Sequence, residues 1–421
     1  MEMIDIIQFP VSALLGVAFL LAIWALHRFA ASNRVVKALA GWKAGAVVMS
    51  LVAVAMAVEG TWGIKIHSHW SFFILVLLLQ CCLEMAVLEK LRSDRALSRR
   101  NMTFVATHTG MLIMAWASFW GAPDAVQARI MVNPEEEVSV AFDERMMNVP
   151  LPFSLRLEEF VIDRYEGSQM PRQFTSRMSA RDLTRDSQVS LVTSVNHPCR
   201  YKGYSIYQEG YDQVNGSYSI IRLTRDPWLP LVYLGMLLLM IGSAAMLAGK
   251  WQRKVLVPAV LVLAVIFAVA SVSRISFGTL PPALRSLWFV PHLVVYMVAY
   301  SAMAVSVILA LTSFFVKKGN LMDLSDRLLR TSSVLLLSGM LCGCVWAKQT
   351  WGDYWTWDPK ECWAGVTWLL TLVYMHLAPL KKKSSALAVA VLLLSFLSIQ
   401  VTWYGVNYLP SAHESLHTYN K

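Results

Sequence analysis

Apolar runs of bilayer length recur along almost the whole chain, and they leave few alternatives for what it can fold into. A hydrocarbon core of about 30 Å takes roughly 20 apolar residues as a helix. Runs near that length lie at 10–27, 44–60, 70–88, 102–121, 228–248, 255–271, 288–316, 332–347, 361–379 and 386–404. Only 15% of the 421 residues are charged, against about a quarter in average soluble domains. A soluble enzyme of this size could not cover its surface with so few charges. The 16 Trp, 17 Phe and 21 Met exclude a disordered chain. The expected fold class is an all-α polytopic membrane protein of about ten transmembrane helices.

The basic residues set its orientation. Arg28, Arg34, Lys37 and Lys43 follow the first run, and Lys90, Arg92, Arg95, Arg99 and Arg100 the third. Lys250, Arg253 and Lys254 follow the fifth, Lys317, Lys318, Arg327 and Arg330 the seventh, and Lys381, Lys382 and Lys383 the ninth. Every odd-numbered span thus ends in a basic loop, which places these loops in the cytoplasm and both termini outside. The net charge of +10 is spent on topology. It forms no single stripe of the kind that binds nucleic acid, so no nucleic-acid partner is expected.

One long polar region, 122–227, then falls outside. Its segments Phe153-Ser-Leu-Arg-Leu157, Gln188-Val-Ser-Leu-Val-Thr193 and Tyr218-Ser-Ile-Ile-Arg-Leu223 mix polar and β-branched residues as strands do. The expected organisation is membrane helices over 1–121, a small β-rich extracytoplasmic domain over 122–227, and a second membrane domain over 228–421. No Cys-x-x-Cys pair occurs among the six cysteines, and no structural disulfide is expected. No basic region precedes the first apolar run, so a cleaved signal peptide is not expected either.

Two signals carry chemistry. The first is the loop Trp351-Gly-Asp-Tyr354-Trp355-Thr-Trp357-Asp358-Pro359-Lys360-Glu361 between the eighth and ninth runs. Asp358 reads as a helix N-cap, Pro359 as the first helical residue and Glu361 as the partner of a capping box. An interfacial aromatic belt spreads its rings over many helices. Three Trp and a Tyr within seven residues form instead a platform suited to a flat, apolar, polarisable ligand.

The second signal is histidine at membrane depth, where an ionisable residue points to function. His108 and His376 lie about six and four residues from the cytoplasmic side, within roughly 5 Å of one depth. Two neutral imidazoles there can hold one metal from opposite sides. His292 and His417 lie at the level of the Trp loop and form a second pair outside. Haem satisfies axial imidazoles, aromatic platform and apolar surroundings together. His413-Glu-Ser-Leu-His417 also matches H-E-x-x-H, but Pro410 precedes it and four residues follow, so a zinc hydrolase is disfavoured. His67, His69 and His197 read as surface or interfacial residues.

These residues resemble a known family. The run Trp351 to Glu361 looks like the tryptophan-rich WWD signature of haem-handling proteins in cytochrome c biogenesis, in the CcsA (ResC) branch of system II. Leu416-His417-Thr-Tyr419 and Val406-Asn407-Tyr-Leu409 are similar to that branch's C-terminal segments. Leu151-Pro-Phe-Ser-Leu-Arg-Leu-Glu-Glu-Phe160 and Val195-Asn-His-Pro-Cys-Arg-Tyr-Lys-Gly-Tyr-Ser-Ile-Tyr-Gln208 resemble the external domain of its partner CcsB (ResB). The resemblance runs from about residue 40 to 421 and suggests a CcsB–CcsA fusion in a bacterial cytoplasmic (inner) membrane.

The resemblance implies haem b as substrate and ligand. It implies axial ligation by His108 and His376 at an inner site and by His292 and His417 at an outer one. Trp351, Tyr354, Trp355, Trp357, Asp358 and Lys360 would contact the macrocycle. The implied activity is that of a cytochrome c synthase, which transports haem outward and joins it by thioethers to an apocytochrome c segment Cys-x-x-Cys-His. A thiol-reducing protein and a second biogenesis subunit are the other implied partners. Two other readings remain: a haem exporter or chaperone without ligase activity, and a membrane b-type electron carrier.

Overall fold

A computed structural model describes residues 8–92, 98–247, 280–316, 320–377 and 385–415. Among these, eight helices are long and apolar enough to cross a membrane. They are α1 (Val11–Ala30), α3 (Trp42–Trp62), α4 (Trp70–Leu91), α5 (Arg99–Gly121), α6 (Leu229–Met246), α7 (Phe289–Phe315), α8 (Leu321–Trp351) and α10 (Ser385–Trp403). A short α2 (Arg34–Leu39) joins α1 to α3. The chain is a polytopic membrane protein that also carries a β-sheet domain. The sixth apolar run, 255–271, lies outside the described residues.

The ninth run becomes α9 (Pro359–His376), an 18-residue helix less apolar than the other spans. The reason is its position. Thr371 hydrogen-bonds Ser333 of α8 at 2.8 Å, and Thr367 hydrogen-bonds Ser398 of α10 at 2.9 Å, all four residues being buried. On its other side α9 packs through Val366, Leu369 and Val373 against Val48, Val52 and Met56 of α3. A helix surrounded by protein can keep polar residues because its neighbours satisfy them.

Helix α8 is 31 residues long although its apolar run covers only 332–347. Its first three turns, with Asp323, Asp326, Arg327 and Arg330, continue the helix as an amphipathic extension. Hydrophobicity marks where a helix meets hydrocarbon rather than where it ends.

Helices α5 and α6 approach unusually closely. A methyl group built on Gly110 would meet the backbone nitrogen of Leu239 at 2.5 Å, and one on Gly235 that of Met114 at 2.7 Å. Small residues here let two backbones touch, which is how membrane helices gain packing energy without a hydrophobic drive. The contact fixes α5 two residues from His108.

The polar region folds into an eight-stranded antiparallel sheet in the order β5-β4-β3-β2-β1-β8-β7-β6. The strands are β1 (Val126–Val132), β2 (Val138–Phe142), β3 (Asn148–Arg164), β4 (Pro171–Asp182), β5 (Gln188–Ser194), β6 (Cys199–Tyr201), β7 (Tyr204–Tyr211) and β8 (Ser219–Arg225). In β1, Ala128, Ile130 and Val132 are buried while Arg129 and Met131 are exposed, the period of two that one covered face requires. The sheet curls on itself: Thr193 of β5 donates to the Ile206 carbonyl of β7 at 2.8 Å, and Ser176 of β4 donates to Gln208 at 2.5 Å. Phe153, Leu155, Met178, Ile206, Ile221 and Leu223 fill the interior.

This domain sits at one end of the helices. Tyr165 donates to the Leu280 carbonyl, and Asn196 donates to the Pro282 carbonyl at 2.7 Å. All six cysteines are free thiols, consistent with the absence of a disulfide framework. Burial pushes the Cys199 thiol up to about 11, so it is a poor nucleophile at neutral pH.

Candidate functional site

His108 and His376 come from helices far apart in sequence and lie beside each other with their rings tilted. Their ring centroids are 6.3 Å apart with 60° between the planes. The Nδ1–H of His108 donates to the Phe104 carbonyl at 2.9 Å, and that of His376 to the Leu372 carbonyl at 2.8 Å. Each is a bond to the preceding helical turn, so each ring holds the same tautomer and keeps the Nε2 lone pair for another partner. A second hydrogen bond that fixes ring and tautomer is the usual support of a metal-binding histidine. Phe104 stacks on His108 at 3.7 Å, and Gly45 of α3 leaves room beside His376.

The 6.3 Å centroid separation can be compared with the one a shared metal would impose. A metal–imidazole bond of about 2.0–2.1 Å, with the ring centre roughly 1.1 Å behind the nitrogen, puts opposed ring centres about 6.3 Å apart. Among the described residues no group of three or more His, Cys, Asp or Glu could enclose a metal ion. Two imidazoles at this separation would suit an iron whose remaining positions a macrocycle fills.

At the other end, α9 opens as its sequence predicts. Asp358 caps the helix by accepting from the Lys360 backbone at 2.8 Å, and Glu361 returns to the Asp358 backbone at 3.3 Å. Glu361 also accepts from the backbone and hydroxyl of Thr356 at 2.7 and 3.1 Å, which closes the loop onto the helix start.

The aromatic rings of the loop do not share one plane. Trp355 and Trp357 are perpendicular, at 87° and 6.2 Å. Trp351 turns towards α7 and α8, packing on Trp346 at 5.1 Å, and Trp346 lies 5.8 Å from His292. Tyr354 reaches Ser118 of α5 at 3.3 Å. The loop is therefore an aromatic span across the helix ends rather than a single flat platform. Beside it, the indole nitrogen of Trp363 is buried with no hydrogen-bond partner.

His292 stands in the first turn of α7, where its Nδ1–H donates to the Gly339 carbonyl at 2.8 Å. A methyl group at Gly343, one turn on, would come within 2.8 Å of that imidazole. His417 lies outside the described residues. Ser415, two positions earlier, donates to Asp358 at 3.2 Å, and Ser411 donates to the Gly60 carbonyl at 2.6 Å. The segment leading to His417 is thus fastened beside the loop. His413 is exposed on a short 3-10 turn, Pro410–Glu414, which is not the α-helix that an H-E-x-x-H zinc site requires.

Sequence reading missed His67. Its imidazole stacks on Trp357 at 4.7 Å and 6°, and Glu59, buried in α3, accepts from both its ring nitrogen and its backbone nitrogen. Trp357 itself adopts a left-handed backbone, φ 61°, which non-glycine residues seldom hold without support. Only the position of His67, immediately before an apolar run, hinted at this level in the membrane.

The loop is also bolted to the β-domain. Asp353 accepts from Arg222 and from Gln127, each at 2.6 Å. Burial pushes the Asp353 carboxyl up, against the pull of the Arg222 and Lys348 cations. Thr350 donates to Asn196 at 2.7 Å.

Comparison with known proteins finds two families along the chain. Residues 98–221 match the ResB-like family, and residues 228–413 match the cytochrome C assembly protein family. Together these two matches support a system II cytochrome c biogenesis protein of the CcsB–CcsA type. Its relatives include the cytochrome c biogenesis protein CcsA of Chlamydomonas reinhardtii, 35% identical over 153 residues, covering 33% of this chain and 42% of that protein. CcsA of Prochlorococcus marinus (strain MIT 9301) is 30% identical over 180 residues, covering 34% of this chain and 57% of that protein. The chain thus spans about half the length of the CcsA relatives it matches, and it carries a ResB-like part as well.

Proposed function

We propose that this chain takes up haem at an intramembrane site made by His108 and His376 and presents it at the Trp loop for thioether attachment to apocytochrome c. The observation that carries the reading is the 6.3 Å separation of two imidazoles whose Nδ1 atoms are both already committed. His292 and His417 are the outer axial pair in this proposal. Trp351, Tyr354, Trp355, Trp357, Asp358 and Lys360 line the presentation site, with Trp363 as a further buried donor.

The reaction adds each Cys S–H across a haem vinyl group, sulfur to one carbon and hydrogen to the other, with no net oxidation. No side chain of the loop is required as acid or base. The protein works by holding iron, macrocycle and peptide in register. The β-domain, the Trp loop and the His417 segment lie on the external face of a bacterial cytoplasmic membrane in this reading. A thiol-reducing protein keeps the apocytochrome cysteines reduced, and a second biogenesis subunit is a further candidate partner.

The test is spectroscopic. Purified protein should carry haem b with a bis-imidazole spectrum, and His108→Ala or His376→Ala should remove the inner signal, with imidazole restoring it. Incubation with a Cys-x-x-Cys-His peptide separates the alternatives. Covalent product supports a synthase, released haem an exporter, and haem that stays bound while exchanging electrons a redox carrier. Retention of the full bis-imidazole signal in both inner variants would sink the proposal.

A further inference from the structure

Below the inner imidazole pair lies a cation that the ligation chemistry alone does not explain. Lys90 is in the last turn of α4, half-buried, with its Nζ 5.2 Å from the centre of the Phe104 ring. Phe104 stacks directly on His108 at 3.7 Å and 19°. Taken end to end, these separations put the ammonium within about 9 Å of the imidazole. The neighbouring Glu89 is engaged elsewhere, with His27 at 3.1 Å. Among the described residues, no carboxylate pairs with Lys90.

A lysine that only sets topology extends its ammonium to water and lays its stem along the apolar surface. Lys43, exposed over Trp42 at the start of α3, behaves more nearly that way. Lys90 instead folds back onto the ring that supports a proposed iron ligand. A half-buried lysine with no carboxylate partner among the described residues is an arrangement that an anionic ligand group would complete. Haem offers such a group: two propionates on one edge of the macrocycle, several ångströms from the iron.

Resting on the haem reading above, we infer that Lys90 is the carboxylate-binding element of the inner site and that it selects tetrapyrroles with free propionates. It holds the propionate edge towards the basic end of the helices, while His108 and His376 hold the iron. Specificity at the inner site is then divided between ligation, which reads the metal, and Lys90, which reads the acid side chains.

The experiment uses the full chain purified in detergent, in a His292→Ala background so that the inner pair dominates the spectrum. Haem and haem dimethyl ester are titrated separately into this protein and into its Lys90→Gln, Lys90→Arg and Lys43→Gln forms. Lys90→Gln should weaken haem binding about tenfold, the value of one charge-assisted hydrogen bond, and leave the ester within about twofold. Lys90→Arg should retain most of the preference for haem over ester, and Lys43→Gln all of it. Equal weakening of both ligands would make Lys90 a packing or lipid-anchoring residue and overturn the inference, as would no weakening of either. His108→Ala and His376→Ala in the same background separate the two levels. If they keep the bis-imidazole signal, the haem reading itself falls. If they lose it while Lys90→Gln fails to discriminate, only the role of Lys90 falls.

Discussion

Removing the charge of Asp353 should loosen the Trp loop from the β-domain by an amount that the geometry sets. Asp353 and Arg222 meet at 2.6 Å, with side chains only 14% and 13% exposed. Opposite charges about 4 Å apart at an effective dielectric of about 20 attract by roughly 4 kcal/mol before desolvation. Exposed pairs return at most about 1 kcal/mol, and breaking fully buried ones costs about 3–5. This pair lies between, and Arg222 keeps a bond to Gln127 at 2.9 Å, so about 2 kcal/mol is the expected loss for Asp353→Asn. That corresponds to roughly thirtyfold more frequent opening of the loop.

Hydrogen exchange of the backbone amides from Trp351 to Thr356 reads this opening directly. Asp353→Asn and Arg222→Gln should each speed exchange by about that factor, and the double variant should be little faster than the worse single one. Additive effects would mean that the residues act independently, and unchanged exchange would mean that the ion pair does not hold the loop. Either result refutes the reasoning.

Three further outcomes follow from other contacts. His67→Ala should free Trp357 and red-shift its fluorescence, at a cost of about 1 kcal/mol, and His67→Phe should restore the stack but not the tie to Glu59. An unchanged emission spectrum in the Ala variant would contradict the stacking. Gly110→Leu should force α5 from α6, lowering the thermal midpoint and abolishing the inner haem signal, whereas a Met111→Leu neighbour control should be nearly silent. In the β-domain, Lys202 hydrogen-bonds Asp182 and holds its carboxyl down to about 2. Because that folded value lies below the unfolded one near 3.9, the stabilisation is complete above about pH 4 and is lost as pH falls towards 2. Circular dichroism of the sheet during acid titration should show this loss shifted in Lys202→Met.

Much of the site was legible because it depends on local rules. The capping box at Asp358 and Glu361 follows from residue order alone, and the structure forms it as read. His108 and His376 could be set at one depth because helix rise and loop charge convert sequence position into height. Height says nothing of azimuth, yet the two rings do meet. The stack of His67 on Trp357 was not legible, since it joins two loops through tertiary packing and neither carries a pattern for the other. The same holds for Asp353, whose partners Gln127 and Arg222 lie on adjacent strands of a sheet whose order sequence could not give. The orientation of the loop's rings was not legible either, for a related reason. Adjacent aromatic residues in a turn diverge, and each ring of this loop finds a different neighbour.

The helices that bring His108 and His376 together also fix when in the life of the chain this can happen. His108 is made early in synthesis, and the β-domain between them can fold while the second half is still being made. The imidazole opposite arrives only with α9, whose polar face needs α8 and α10 to shelter it. A chain that stops before Pro359 would therefore present a finished β-domain and a docked α5–α6 pair, yet lack the second imidazole of the pair. In such a protein, possession of the inner pair is itself a report that insertion has reached the ninth helix.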